Sequence, residues 1–467
     1  MSNRGYKLVL LISLMLASAD VIKAQDKLDS IGHFIKSEMQ TRGIPGLQLA
    51  IIRSGKITML ESYGLANVEH SVSVNAHTLF SVNSATKAFT GVAVMQLVED
   101  GKLDLEQPIS TYLDNLPTDW QNIPVRRLLD HTSGIPDFLD VKNGGYIDGL
   151  TFNKAWRKIH EQPLEFIPGE KTSYNQTNYV LLGQIVERLS GIKFEEFVRK
   201  RQFIPAGMFL TNFGDSRDVI PNKASTYAHS RETKGNFVKG KTLERTWEEF
   251  PELRATSGIN TTAEELGKWI IALQTNRLLR DNNSLSVMWS PQKLNNKSYG
   301  GLALGWVAKR NLAPKAVAGI GGSRSWFYIY PDHALAVVVL TNLKSDGPEN
   351  LAPEVAGFYY PELKSSNGGN YPDAVITLRT ILEQEGYNSA VKSYKTVKAR
   401  QIEYSIPEWD LTNWAYYELM LNKQPLKAKA LFNLMAYLYP DNKDWKEGIQ
   451  AADKDLDSLK LVPKKVN

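Results

Sequence analysis

Strand signals at the two ends of a long helical stretch constrain this fold more than any other feature of the sequence. Leu47 to Ile52 and Ile57 to Tyr63 flank the turn Arg53-Ser54-Gly55-Lys56, and Trp326 to Tyr330 and Ala334 to Leu340 flank Pro331-Asp332-His333. Apolar and β-branched runs around short turn segments read as antiparallel strand pairs. Between the pairs the chain is mostly helical, and a helical pattern from Leu28 to Met39 precedes the first. Two ends that supply strands and a middle that supplies helices predict an α+β fold: one antiparallel sheet assembled from both ends of the domain and flanked by helices.

A chain of 467 residues exceeds what one core usually holds. The segment Ser365-Ser366-Asn367-Gly368-Gly369-Asn370 marks a linker within residues 362–372, which separates a domain over residues 25–361 from an all-helical region over residues 373–467. In that last region Trp414, Leu419, Ala428, Phe432 and Leu438 recur at helical spacing on either side of a break at Asn422 to Pro425, which predicts two antiparallel helices. Ala428, Phe432 and Pro440 resemble part of a tetratricopeptide repeat. One partial unit cannot bury a continuous core alone, so this region is expected to pack on the larger domain, and it offers a surface for a protein partner.

At the amino terminus Arg4 and Lys7 precede an apolar run from Leu8 to Ala17, and Val21-Ile22-Lys23-Ala24-Gln25 follows. That order reads as a secretory signal, residues 1–24, cleaved after Ala24. The run is far short of the roughly 20 apolar residues that a bilayer span needs, so no transmembrane segment is expected after cleavage, and the location is periplasmic or secreted. There is no cysteine, which excludes disulfides and thiolate metal sites, and the seven histidines are scattered. No metal or other cofactor is expected. A formal charge of +5 with interspersed signs gives no footprint for nucleic acid.

Ser84-Ala85-Thr86-Lys87 carries the chemistry. A serine hydroxyl near neutral pH needs a base within hydrogen-bond reach, and residues three apart on a helix share a face. The bare spacing recurs at Ser190 to Lys193, Ser290 to Lys293 and Ser389 to Lys392, so context must discriminate. Ser84 opens a helix with Phe89, Val92, Ala93, Gln96 and Leu97 on one side and Gly101 as its stop. That stripe is expected to bury Lys87, and a low dielectric favours an uncharged amine able to act as base.

With His131-Thr132-Ser133-Gly134-Ile135-Pro136, Tyr174 followed by Asn178-Tyr179 and Leu181-Leu182-Gly183, and Leu340-Thr341-Asn342, the sequence from Leu28 to Tyr360 resembles the β-lactamase-related serine hydrolases. That family includes class C β-lactamases, D-alanyl-D-alanine carboxypeptidases, D-amino-acid peptidases and lactamase-fold esterases. Thr256 to Leu266 resembles the family's stretch behind the active-site cleft. The resemblance implies that Ser84 is acylated, that Lys87 accepts its proton and that Tyr174 relays the proton to the leaving group.

Two departures bear on substrate. Gln176 stands where the family has asparagine and keeps the amide on a longer arm. Gly319-Ile320-Gly321-Gly322 lacks the lysine or histidine that in relatives helps to hold a substrate carboxylate. Arg324 is the nearby cation that would substitute. The backbone at Gly321 and Gly322 remains suited to an oxyanion hole, with the amides of Ser84 and Gly322 as donors. The reading is therefore an exported serine hydrolase acting on a small-molecule or peptide ester or amide. Its alternative is a catalytically degenerate pseudoenzyme that binds a peptide or cell-wall fragment.

Overall fold

The computed structural model describes residues 26–140, 145–229, 243–247, 251–300, 302–309, 316–322, 324–344, 351–364, 373–401, 404–406, 408–416, 418, 419, 424–441 and 444–460. The signal over residues 1–24 and the linker residues Ser365 to Asn370 lie outside them. Helix α1 covers residues 26–42 and leads into β1 (Gly46–Arg53) and β2 (Lys56–Asn67), followed by the short β3 (Val72–Ser73). Near the other end come β4 (Val307–Lys309), β5 (Ala316–Gly321), β6 (Ser325–Tyr330) and β7 (Leu335–Thr341). They form one sheet of seven strands in the order β4-β5-β6-β7-β1-β2-β3, with antiparallel pairing throughout.

The two ends meet at β7 and β1, where Leu49 lies opposite Val339 and Ala50 opposite Val338. Asn342 fastens the join: its Oδ1 accepts from Gly46 N–H at 2.8 Å and its Nδ2 donates to the Leu65 carbonyl at 2.9 Å. Both central strands read as continuous apolar runs because both of their faces are covered. Leu47, Leu49, Ile51, Val337 and Val339 pack with Ile31 and Ile35 of α1 on one face. Ala50, Ile52, Ala336, Val338 and Leu340 face the main helical core on the other.

That core is organised by α2 (Thr86–Glu99), α3 (Thr177–Ser190) and α4 (Ala263–Gln274). The sequence predicts an apolar stripe on α2, whereas the helix is buried all round from Thr86 to Leu97. It packs against α3, against β5 of the sheet and, through Phe89 on Trp269, against α4, which leaves no polar face over Thr86 to Leu97.

Beyond residue 372 the structure has α5 (Asp373–Glu385), α6 (Ala390–Arg400), α7 (Glu408–Tyr416), α8 (Pro425–Leu438) and α9 (Asp444–Lys460). The expected pair is α7 and α8 about the predicted break, and three further helices join it. They share a core of their own, including Leu378, Leu382, Tyr394, Trp414, Leu431, Phe432 and Ala452, drawn only from residues 375–452. A core of that kind is the mark of an independent unit. We therefore expect a protein spanning residues 26–364 to keep a cooperative thermal transition in calorimetry. The cut falls after Lys364 because Leu363 belongs to the core behind the sheet. Insoluble protein, or a melt without cooperativity, would show that the helical region completes the larger domain. Among the described residues no helix is long and apolar enough to cross a membrane.

Candidate active site

Ser84 sits in a single 3-10 turn, Asn83–Ala85, that runs directly into α2. Lys87 follows one turn later and is 4% exposed. Its Nζ lies 3.3 Å from Ser84 Oγ, 2.8 Å from Gln176 Oε1 and 3.1 Å from the carbonyl oxygen of Thr256. An ammonium has three N–H donors and here meets three acceptors. Two of them, the amide oxygen and the carbonyl, can only accept. When the amine gives up its proton, the two remaining N–H bonds are held by those oxygens and the lone pair is left facing Ser84 Oγ.

Gln176 is held toward Lys87 because the 131–139 loop is tied to the start of α3. The half-buried Asp137 accepts from the Gln176 N–H at 3.0 Å and from the Leu139 N–H at 3.2 Å, and the water it has lost pushes its carboxyl above the usual range. Ser133 Oγ donates to Asn178 Oδ1 at 2.7 Å, which fastens the 131–136 loop to the start of α3. His131, in left-handed backbone with φ of 59°, accepts from the Asn175 N–H through Nδ1 at 3.0 Å. Burial, and secondarily the charge on Lys87, hold its imidazole well below the ordinary histidine range, so it is neutral at pH 7.

The His131 ring is packed between Tyr179, with centroids 5.0 Å apart, and Tyr174, at 4.4 Å. Tyr174 presents its ring face to Lys87, 4.8 Å from Nζ to centroid, and is half exposed. Among the described residues its hydroxyl makes no hydrogen bond to Ser84 or Lys87.

The third wall is the β5–β6 hairpin. A Cβ on Gly321 would lie 1.8 Å from the Val82 carbonyl oxygen and 2.9 Å from Ala85 N, so only glycine lets the hairpin lie against the Ser84 turn. Gly322, at φ of 57°, follows directly. The main-chain N–H groups of Ser84 and Gly322 make no hydrogen bond among the described residues, as two donors awaiting an oxyanion would. Gly319 is closed from the opposite strand: a Cβ there would lie 2.2 Å from the ring of Phe327, its cross-strand partner. An aromatic ring laid over a paired glycine replaces the missing side chain.

Of the residues expected from sequence, Ser84, Lys87, Gln176, Gly321 and Gly322 come together, and Tyr174 joins them through its ring. Arg324 arrives beneath the site, 1% exposed, with Nη2 donating to Asn83 Oδ1 at 2.5 Å. Three participants were missed as individuals. The Thr256 oxygen is main chain, which any residue supplies, so no side-chain signal exists for it. His131 was visible only as part of a motif. Asp137 belongs to no motif of its own and gave no signal.

A family model described as Beta-lactamase matches residues 31–357. Protein flp of Staphylococcus aureus (strain COL) is 26% identical over 333 residues, covering 69% of this chain and 64% of that protein. The chain thus spans somewhat less than two thirds of that relative's length. Among solved structures, the octameric penicillin-binding protein homologue from Pyrococcus abyssi superposes with a TM-score of 0.60 at 25% identity, over 76% of this chain and 81% of that one. A class C beta-lactamase superposes with a TM-score of 0.59 at 20% identity, over 72% and 96% of the two chains, and is similar in fold.

Proposed function

We propose, on the premise that this chain belongs to the Beta-lactamase family, that it is a serine hydrolase that cleaves an ester or amide through an acyl-enzyme on Ser84. The observation that carries this reading is the buried Lys87 amine held between Ser84, Gln176 and Thr256. Ser84 Oγ attacks the substrate carbonyl while its proton passes to Lys87. The new oxyanion lies between the N–H groups of Ser84 and Gly322, and collapse expels the leaving group, which takes up a proton. Tyr174 stands half-exposed at the mouth with its ring over Lys87, and we route that proton through its hydroxyl, which must turn to the leaving group when substrate is bound. Water then attacks the acyl-enzyme and restores Ser84.

A pocket that had lost its function would have no reason to keep a lysine desolvated and fully partnered beside a serine, so the degenerate alternative is disfavoured. The residues 1–24 support export to the periplasm or the medium. The substrate class follows from charge. Gly319 brings no cation and Arg324 is buried against Asn83, so neither of these two positions offers a substrate carboxylate a charged partner in place of the water it sheds.

The test is intact mass spectrometry after exposure to a fluorophosphonate, a penicillin and an uncharged aryl ester, with the modified residue mapped and matched esters compared kinetically. A single adduct at Ser84 is expected, with uncharged esters turned over faster than their carboxylate-bearing counterparts. No adduct, or one mapped to Ser190 or Ser290, would overturn the assignment. A preference for the carboxylate form would overturn the substrate class alone.

A further inference from the structure

We infer that Arg324 and Asn83 form a clamp that sets the spacing of the two oxyanion donors, and that Arg324 positions the nucleophile turn instead of reading a substrate's charge. This rests on the hydrolase reading above. The Arg324 backbone is anchored at the tip of the β5–β6 hairpin: its N–H donates to the Gly321 carbonyl at 3.1 Å, and its own carbonyl accepts from Thr341 N–H at 2.9 Å and Thr341 Oγ1 at 2.8 Å. Its side chain crosses to the segment that carries the serine, where Nη2 donates to Asn83 Oδ1. A guanidinium stays cationic at any working pH, so this is a charge-assisted bond, shorter and stronger than a neutral one.

Asn83 is the residue immediately before Ser84, and it sits at φ of 45°. That is the left-handed region, which asparagine tolerates better than most residues but does not adopt without support. The support is visible. Asn83 Oδ1 also accepts from Ser81 Oγ at 2.8 Å, and Ser325 Oγ, next to Arg324, donates to the Ser81 carbonyl at 3.0 Å. A Cβ on Gly322 would lie 2.8 Å from Asn83 Nδ2, so the amide stands directly against the residue that carries the second oxyanion donor. The Asn83 side chain is therefore wedged between the owners of the two N–H groups, and Arg324 holds the wedge in place. A group 1% exposed, with Nη2 turned to Asn83, is poorly placed to meet a carboxylate arriving from solvent.

The experiment compares wild type with Asn83→Gly, Asn83→Asp and Arg324→Ala on matched aryl esters with and without a carboxylate, measuring kcat, KM and thermal melts. Asn83→Gly permits the same backbone angle and deletes the acceptor, so the turn can form without the clamp. Oxyanion geometry lost by about 1 Å should lower kcat on the order of 100-fold, equally for both esters, with KM little changed. Asn83→Asp retains the acceptor and should recover most of that loss, which a merely structural effect at this position would not explain. Arg324→Ala should match Asn83→Gly. If it fails to fold, the Asn83 pair still decides. An active wild type with Asn83→Gly within about threefold of its kcat would overturn the clamp, since an intact clamp is worth far more than that. So would a loss in Arg324→Ala confined to the carboxylate ester. A wild type that forms no adduct at Ser84 would instead remove the hydrolase reading and the clamp together.

Discussion

Lys87→Met should lower the rate of Ser84 acylation by about 100-fold to 10,000-fold, the usual cost of losing a positioned general base. Methionine nearly matches the lysine stem in length and shape, so the surrounding helix keeps its packing and the loss is chemical. It does leave Gln176 Oε1 and the Thr256 carbonyl without their donor. A buried acceptor deprived of its partner costs about 1–3 kcal/mol, so a modest fall in melting temperature should accompany the loss of activity. Single-turnover labelling with an activated ester, read beside a thermal melt, separates the two effects. Tyr174→Phe is the informative companion. It keeps the ring that faces the amine and removes only the hydroxyl, so acylation by an activated ester, whose leaving group needs no proton, should fall much less than in Lys87→Met, whereas acylation by an unactivated ester or amide should suffer if the phenol carries the proton to the leaving group. A Lys87→Met protein that still acylates within about tenfold of wild type would remove lysine from the role of base, because no positioned base costs so little to lose.

The sheet was legible because its central strands are covered on both faces. Burial on both sides writes an uninterrupted apolar run, as in Leu47 to Ile52 and Leu335 to Leu340, and such runs survive inspection one residue at a time. Asn342 shows why Leu340-Thr341-Asn342 is informative: its amide joins Gly46 and Leu65, so the first and last parts of the domain share one side chain. Ser84 and Lys87 were legible because both lie on one helical turn. The surroundings were not, since each depends on contacts between distant segments. Lys87 meets Thr256 across 169 positions of sequence and through a main-chain oxygen. Arg324 read as a spare cation near a missing one, and only the fold turns it toward Asn83. The apolar stripe predicted for α2 failed for a related reason. A helix packed on every side has no polar face, and its periodicity then says little about direction. In the carboxy-terminal region Lys392, Lys395, Lys398 and Arg400 dilute the apolar pattern of α6, which hid a helix whose Tyr394 and Val397 are buried.

Gly321→Ala should cost about 100-fold to 1,000-fold in kcat, comparable to deleting an oxyanion donor, although alanine adds a single methyl group. The added carbon would fall 1.8 Å from the Val82 carbonyl oxygen and 2.9 Å from Ala85 N. Both of those atoms are backbone and cannot rotate away, so either the hairpin or the Ser84 turn must shift. One carries the Gly322 N–H and the other the Ser84 N–H, and any shift therefore changes the distance between the two donors. The control lies two residues away on the same strand. At Gly319 the added carbon meets the ring of Phe327, 2.2 Å off, within a core that includes Trp269 and Trp306. Gly319→Ala should thus overpack the core and cost about 1–3 kcal/mol of stability while the folded fraction keeps its turnover. Equal substitutions on one strand then separate packing from catalysis: Gly321→Ala loses rate out of proportion to melting temperature, and Gly319→Ala the reverse. Kinetics normalised to the titrated folded fraction would read both. If Gly321→Ala retained full turnover, the Ser84 and Gly322 amides would not be the groups that stabilise the oxyanion.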